Sequence, residues 1–181
     1  MNTYIALFRG INVGGKNIIK MKELVHLLEG LGLTQVRTYI QSGNVIFESE
    51  SDVQRLNEKI NQAILQHFGF TPQLLMLTFD EFETAIQNNP FSQAQSEPNT
   101  LHLEFLAYEP QNPRLTDLEL LKSSMEEFRL KGKVFYLYAP EGVGRSKLAA
   151  NSEKLLGVPI TDRNWNTVMK IFEMANSKEN K

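Results

Sequence analysis

Val36-Arg37-Thr38-Tyr39-Ile40-Gln41-Ser42-Gly43-Asn44-Val45-Ile46-Phe47 is the stretch on which the fold turns. Val36, Thr38 and Ile40 alternate with Arg37 and Tyr39, the period-2 pattern of a half-buried strand. Gln41-Ser42-Gly43-Asn44 carries turn chemistry. Val45-Ile46-Phe47 resumes the strand, so the stretch predicts a β-hairpin. Ahead of it, Tyr4-Ile5-Ala6-Leu7-Phe8 is a short, nearly continuous apolar run, which predicts a buried strand over residues 3–8. Met21, Leu24, Val25, Leu28 and Leu31 share one helical face, so a helix is expected over 20–30, ended by Gly30 and Gly32. A strand and a helix followed by a hairpin contradict a parallel, doubly wound sheet.

Behind the hairpin, Ser51 and Gln54 have capping-box spacing. The helix they would open places Val53, Leu56, Ile60, Ile64 and Phe68 on one side, and Gly69 stops it. Gln73-Leu74-Leu75-Met76-Leu77 reads as the next strand. The order is β-α-β-β-α-β, the split βαβ of ferredoxin-like domains. Thr78 and Glu81 cap a further short helix with Phe79, Phe82 and Ile86 facing in.

The second half repeats the order. Leu101, Leu103, Phe105 and Ala107 alternate in a strand. Thr116 with Glu119 predicts a capped helix through Leu118 and Leu121. Phe128 and Leu130, a turn at Gly132, and Val134 to Tyr138 predict a second hairpin. A helix from about Ser146 to Leu156 ends at Gly157, and Val158-Pro159-Ile160 is a short extended piece. A last helix opens in Asp162–Thr167, with Asp162 or Asn164 as N-cap, and buries Trp165, Val168, Met169, Phe172 and Ala175. The expected fold is therefore α+β, two ferredoxin-like (βαββαβ) subdomains in tandem with an extra C-terminal helix. The expected boundaries are 1–87, a polar linker 88–99 containing Pro90 and Pro98, and 100–181.

The first strand runs into Arg9-Gly10-Ile11-Asn12-Val13-Gly14-Gly15-Lys16. Glycines bracketed by two cations at a strand end suit a bound anion as well as a plain structural turn. Residues 10–17 nearly match the phosphate-binding loop G-x-x-x-x-G-K-[ST], but Asn17 has no hydroxyl for Mg²⁺ and the helix starts too late. At the hairpin tip, Gln41, Ser42 and Asn44 are either turn residues or polar donors to a ligand. Glu141-Gly142-Val143-Gly144-Arg145-Ser146-Lys147 is a second glycine stretch at a helix start. Its cations oppose the helix dipole unless an anion offsets them. Arg163, Asn164 and Asn166 lie off the apolar face of the last helix and could meet a phosphate, a base edge or a carboxylate.

Composition narrows the chemistry. The chain has 181 residues and no cysteine, which excludes disulfides, thiol catalysis and thiolate metal sites. His26, His67 and His102 have no ligand-spaced partners, so no metal or cofactor is expected. His26, beside an apolar helix face, is expected to be half buried. No Gly-x-Ser-x-Gly elbow is present. No apolar run reaches the ~20 residues of a membrane span, and the N-terminus does not read as a signal peptide. The net charge of −2 conceals an asymmetry: residues 1–47 carry +3, residues 48–130 carry −9 and residues 131–181 carry +4. Both basic parts hold the glycine stretches.

Four segments together resemble an uncharacterised, mainly bacterial family known as domain of unknown function 1697. They are Leu7–Lys16, Tyr39–Val45, Gly144–Leu148 and Arg163–Thr167. They occur in the right order across nearly the whole chain, with a departure at Asp162, where the family often has a small residue. The resemblance implies two ferredoxin-like subdomains and carries no activity with it. From the residues, the leading expectation is a cytoplasmic protein that binds a phosphorylated ligand, either a nucleotide or a nucleic-acid backbone. Arg9, Lys16, Arg145, Lys147 and Arg163 would supply charge. The glycine stretches, with Gly14, Gly15 and Ser146, would supply donors, and Asn12, Gln41, Asn44, Asn164 and Asn166 polar readout. Two rivals are a small-metabolite hydrolase or transferase and a protein-interaction module. No membrane partner is expected, and the sequence carries no signal for oligomeric state.

Overall fold

The structure, a computed structural model, describes residues 1–177. In chain order the first elements are β1 (Asn2–Arg9), α1 (Met21–Gly30), β2 (Thr34–Tyr39), β3 (Asn44–Ser49), α2 (Val53–Phe68) and β4 (Gln73–Thr78). The strands pair antiparallel in the order β2-β3-β1-β4. After α3 (Phe79–Gln87) come β5 (Leu101–Leu106), α4 (Leu115–Leu121), β6 (Glu127–Lys131), β7 (Val134–Tyr138), α5 (Lys147–Leu156) and β8 (Ile160–Asn164). Their sheet order is β6-β7-β5-β8, the same topology again. α6 (Trp165–Asn176) ends the described chain. This is the duplicated βαββαβ that the hairpin pattern predicts.

The chain divides into two units. One is Met1–Thr84 with the described residues from Lys170 onward, and the other is Ala85–Met169. In the first, Tyr4, Ala6 and Phe8 of β1, Val45 and Phe47 of β3, and Met76 of β4 form one sheet face. Leu24 and Leu28 of α1 and Leu56, Ile60 and Ile64 of α2 close over it. Each such side chain contributes about 1.5–3 kcal/mol on full burial. Gly69 ends α2 at φ +79°, and the expected Thr78–Glu81 capping box forms, with Glu81 N–H to Thr78 Oγ1 at 3.2 Å and Thr78 N–H to Glu81 Oε2 at 2.9 Å. α6 returns to this unit: Phe172 stacks on Phe79 with centroids 5.6 Å apart. The Arg37 guanidinium donates to the Met174 and Ser177 carbonyls, capping the helix C-terminus.

In the second unit, Leu106, Phe128, Phe135, Leu137 and Ile160 pack against Leu118 of α4 and Leu148, Leu155 and Leu156 of α5. Every residue of β5 is buried, His102 and Glu104 included, so its alternation marks two covered faces and not one wet face. Residues 88–99 contain a one-turn 3-10 helix, Ser92–Ser96, flanked by buried Phe91 and holding buried Ala94.

Several local expectations give way. Asp52, not Ser51, caps α2, accepting from Arg55 N–H at 2.9 Å. The Thr116–Glu119 box does not form: α4 starts two residues earlier, at Leu115, and Arg114 at its N-cap makes an ion pair with Asp117. Asp162 does not open the last helix. It lies in β8, opposite Glu104, and its carboxylate meets His102 Nδ1 at 2.9 Å. His26 is exposed and faces Glu29 at 3.6 Å.

Tyr136 gives the second unit a testable alkaline limit. It is enclosed, and its hydroxyl donates to the Ala85 carbonyl at 2.7 Å. Burial pushes its pKa up from 10.0 to about 12. The folded state therefore holds the phenol proton more tightly than the unfolded chain. The stability this contributes is complete below pH 10 and lost as the pH rises towards 12. Its ceiling is about 3 kcal/mol, since each pKa unit is worth about 1.4 kcal/mol. Urea unfolding should show a decline above about pH 10 that Tyr136→Phe flattens. At neutral pH that variant should start about 1 kcal/mol lower, for the lost hydrogen bond.

Candidate functional site

Two of the four sequence segments meet within the first unit. Phe8 N–H donates to the Gly43 carbonyl at 2.8 Å, joining the end of β1 to the hairpin tip. Asn12 completes the junction. Its Nδ2 donates to the Gln41 carbonyl and to the Ile19 carbonyl, both at 2.9 Å, while its Oδ1 accepts Ile19 N–H at 2.8 Å. Asn12 sits at φ +55°, a conformation asparagine tolerates better than most residues. Asn17 Nδ2 reaches back to the Gly10 carbonyl at 2.9 Å.

Between these anchors the chain folds on itself. Lys16 N–H donates to the Val13 carbonyl at 3.0 Å across Gly14 and Gly15, which have φ of +57° and +73°. Positive φ at both central residues is what a type I′ turn requires, and a glycine pair supplies it without steric cost. The loop is thus a miniature hairpin, and α1 begins only at Met21. That differs from a nucleoside-triphosphatase loop, which opens directly into its helix. Among the described residues, the amides of Gly14 and Gly15 donate to no protein acceptor. Lys16 beside them is exposed, and Arg9 Nη1 meets Gln73 Oε1 at 3.2 Å.

The hairpin tip divides its roles. Asn44 is fully buried, and its amide donates to the Tyr39 carbonyl and Ser42 Oγ at 3.0 and 3.1 Å. Gln41 and Ser42 are exposed.

The other two segments belong to the second unit. Tyr138 pairs with Leu101 and Asn164 with His102, so the ends of β7 and β8 flank the start of β5. Ser146 caps α5, its Oγ accepting Ala149 N–H at 2.9 Å. A cavity of about 310 Å³ opens there, lined by Arg145, Lys147, Ser146, Glu126, Glu141 and Ser123 among others. Asn164 Oδ1 accepts Thr167 N–H at 2.9 Å and caps α6. Asn166 Nδ2 donates to Asn99 Oδ1 at 2.8 Å. Arg163 lies on the face of β8 opposite to Asp162, paired with Leu103. Burial pulls its pKa down to about 10, partly opposed by the Asp162 charge, so it remains cationic at neutral pH.

The sequence reading missed the His102–Asp162 pair. The two residues are 60 positions apart, and only the β5–β8 register brings them together. Among the described residues, no group of three or more His, Cys, Asp or Glu could hold a metal ion, and no helix is long and apolar enough to cross a membrane.

Comparison with known proteins follows the same lines. None of the curated proteins matches the chain. A solved structure described as that of conserved bacterial protein SP0830 from Streptococcus pneumoniae is similar, with 31% identity and a TM-score of 0.71. The match covers 97% of this chain and 99% of that one. The model of a family described as protein of unknown function (DUF1697) matches residues 1–136. That span takes in the glycine loop, the hairpin tip and most of the second sheet, and the chain belongs to this family.

Proposed function

We propose that the protein binds a phosphorylated ligand, a nucleotide or the backbone of a nucleic acid, at the glycine loop and hairpin tip of its first unit. The observation that carries this reading is the junction itself. Asn12 locks residues 9–19 to residues 41–43, leaving the Gly14 and Gly15 amides beside exposed Lys16. Backbone donors in a turn of positive φ, next to a cation, suit an anion, and the Asn12 bonds hold that turn in place before the ligand arrives. Gln41, exposed at the tip, adds an amide that can read a polar edge.

Calorimetry with ATP, tripolyphosphate and a short RNA tests the reading. Binding should weaken about ten- to a hundredfold in Lys16→Ala, the loss of one charge-assisted contact of about 1.5–3 kcal/mol. If the ligand is a strand, affinity should also fall steeply with salt. No binding by any of the three, or binding untouched by Lys16→Ala, would sink the proposal.

The cavity of the second unit favours a second reading, a hydrolase or transferase acting on a small metabolite. At about 310 Å³ it is the size of a small-molecule site, and it sets Glu126 and Glu141 near Arg145 and Lys147. Turnover in a substrate screen that Glu126→Gln abolishes would support it.

A further inference from the structure

Three aliphatic side chains of the joined loops are about half or more exposed. Val13 is 67% exposed, Ile18 56% and Ile40 49%. Each is the chain neighbour of a residue in the junction: Val13 follows Asn12, Ile18 follows Asn17, and Ile40 precedes Gln41. Asn12 N–H donates to the Asn17 carbonyl at 3.1 Å, and Asn12 Nδ2 to the Gln41 carbonyl at 2.9 Å. The backbone segments that carry the three side chains are therefore tied together beside the glycine turn.

Ile40 is the decisive member. It sits at φ +51°, where a β-branched residue is a steric outlier. Exposed apolar surface earns no burial, and glycine or asparagine would take this conformation with less strain. The fold thus holds a strained isoleucine with about half of its surface in water. Strain of this kind collects at ligand-contacting positions.

We propose that this apolar rim receives the base of a nucleotide, free or within a strand, whose phosphate lies against the glycine turn and Lys16. This rests on the phosphate reading above and adds the ligand class. Charge complementarity selects the occupant: an apolar rim around backbone donors and a cation fits a ligand with one flat hydrophobic part and one anionic part. Gln41, next to Ile40, is placed to meet the polar edge of that base.

The test compares AMP and ATP with ribose 5-phosphate and tripolyphosphate, on the full chain and on Ile40→Gly and Ile40→Asn. Nucleotides should bind at least tenfold more tightly than base-free ligands of equal charge. Ile40→Gly should raise Tm by about 2–4 °C by relieving the strain. The same variant should weaken nucleotide binding about tenfold and leave tripolyphosphate binding unchanged. A substitution that stabilises the fold while removing affinity cannot act through misfolding. Equal binding of ATP and tripolyphosphate, indifferent to Ile40, would overturn this inference and leave the phosphate reading standing. Absence of binding by every ligand overturns both. Sedimentation with phosphatidylserine vesicles that is lost in Ile40→Gly would also overturn it, assigning the rim to a lipid surface.

Discussion

Gly43→Ala should cost about 3 kcal/mol of stability, the largest effect expected of any glycine-to-alanine change in this chain. Two terms combine. Gly43 has φ +79°, where an L side chain costs about 1–2 kcal/mol. A Cβ there would also lie 2.6 Å from Ile11 Cδ1 and 2.6 Å from Phe8 Cβ. Phe8 is held in β1 by its pairing with Leu74 of β4 and by its own N–H bond to the Gly43 carbonyl, so its Cβ cannot step aside as the tip of a long side chain would. Relieving the overlap means moving the hairpin tip, which strains the 2.8 Å bond from Phe8 N–H to the Gly43 carbonyl. Gly14→Ala is the control. Its φ is +57°, but nothing lies within 4 Å of the added methyl. It should cost only the conformational part, about 1 kcal/mol. Urea unfolding of the two variants separates the terms. Equal destabilisation would mean that the close approach of Gly43 to Phe8 and Ile11 has no energetic weight.

The same contrast explains how much of this protein could be read from its sequence. Hydrophobic periodicity is a local property, and it located the elements of both βαββαβ orders except most of the last strand, because each of the others shows its own core face. Caps were harder. Ser51 and Asp52 are adjacent, both are good N-caps, and the choice fell to which residue the preceding strand delivers to the helix start. β8 was hidden because Asp162, Arg163 and Asn164 are polar and read as a helix opening. They form a strand because β5 offers a free edge, and Asp162 satisfies its carboxylate on His102 from that edge. For the site, the glycines and cations were visible, but which loops touch was not. Contact between the loop after β1 and the tip between β2 and β3 follows from the sheet order. Both lie at the same end of a sheet in which β3 pairs with β1. The strain at Ile40 was invisible, since the residue continues the alternation of Val36 and Thr38 and looks like one more strand position.

Asn12 should prove the keystone of the candidate site, and Asn12→Ala is expected to lower stability by about 3 kcal/mol. The side chain makes three hydrogen bonds, and the variant leaves the buried Ile19 without its partner for N–H. Each bond is worth about 1 kcal/mol net, and an orphaned buried donor costs about 1–3 kcal/mol. Alanine also tolerates φ +55° less well than asparagine. Asn12→Gly separates these effects, because it relieves the backbone and loses the same three bonds. Asn12→Asp is sharper still. It keeps Oδ1 for Ile19 N–H but turns the donor into a second acceptor, facing two carbonyl oxygens. It should destabilise at neutral pH and recover when the carboxyl is protonated, since an acid proton can again be donated to a carbonyl. Hydrogen exchange reads the local consequence. In all three variants the amides of residues 9–19 should exchange faster, together with Phe8 and the hairpin tip, while β5–β8 should be unchanged. If exchange rises at residues 9–19 alone, the two loops are not coupled through Asn12. The glycine turn would then not be held in place for an anion.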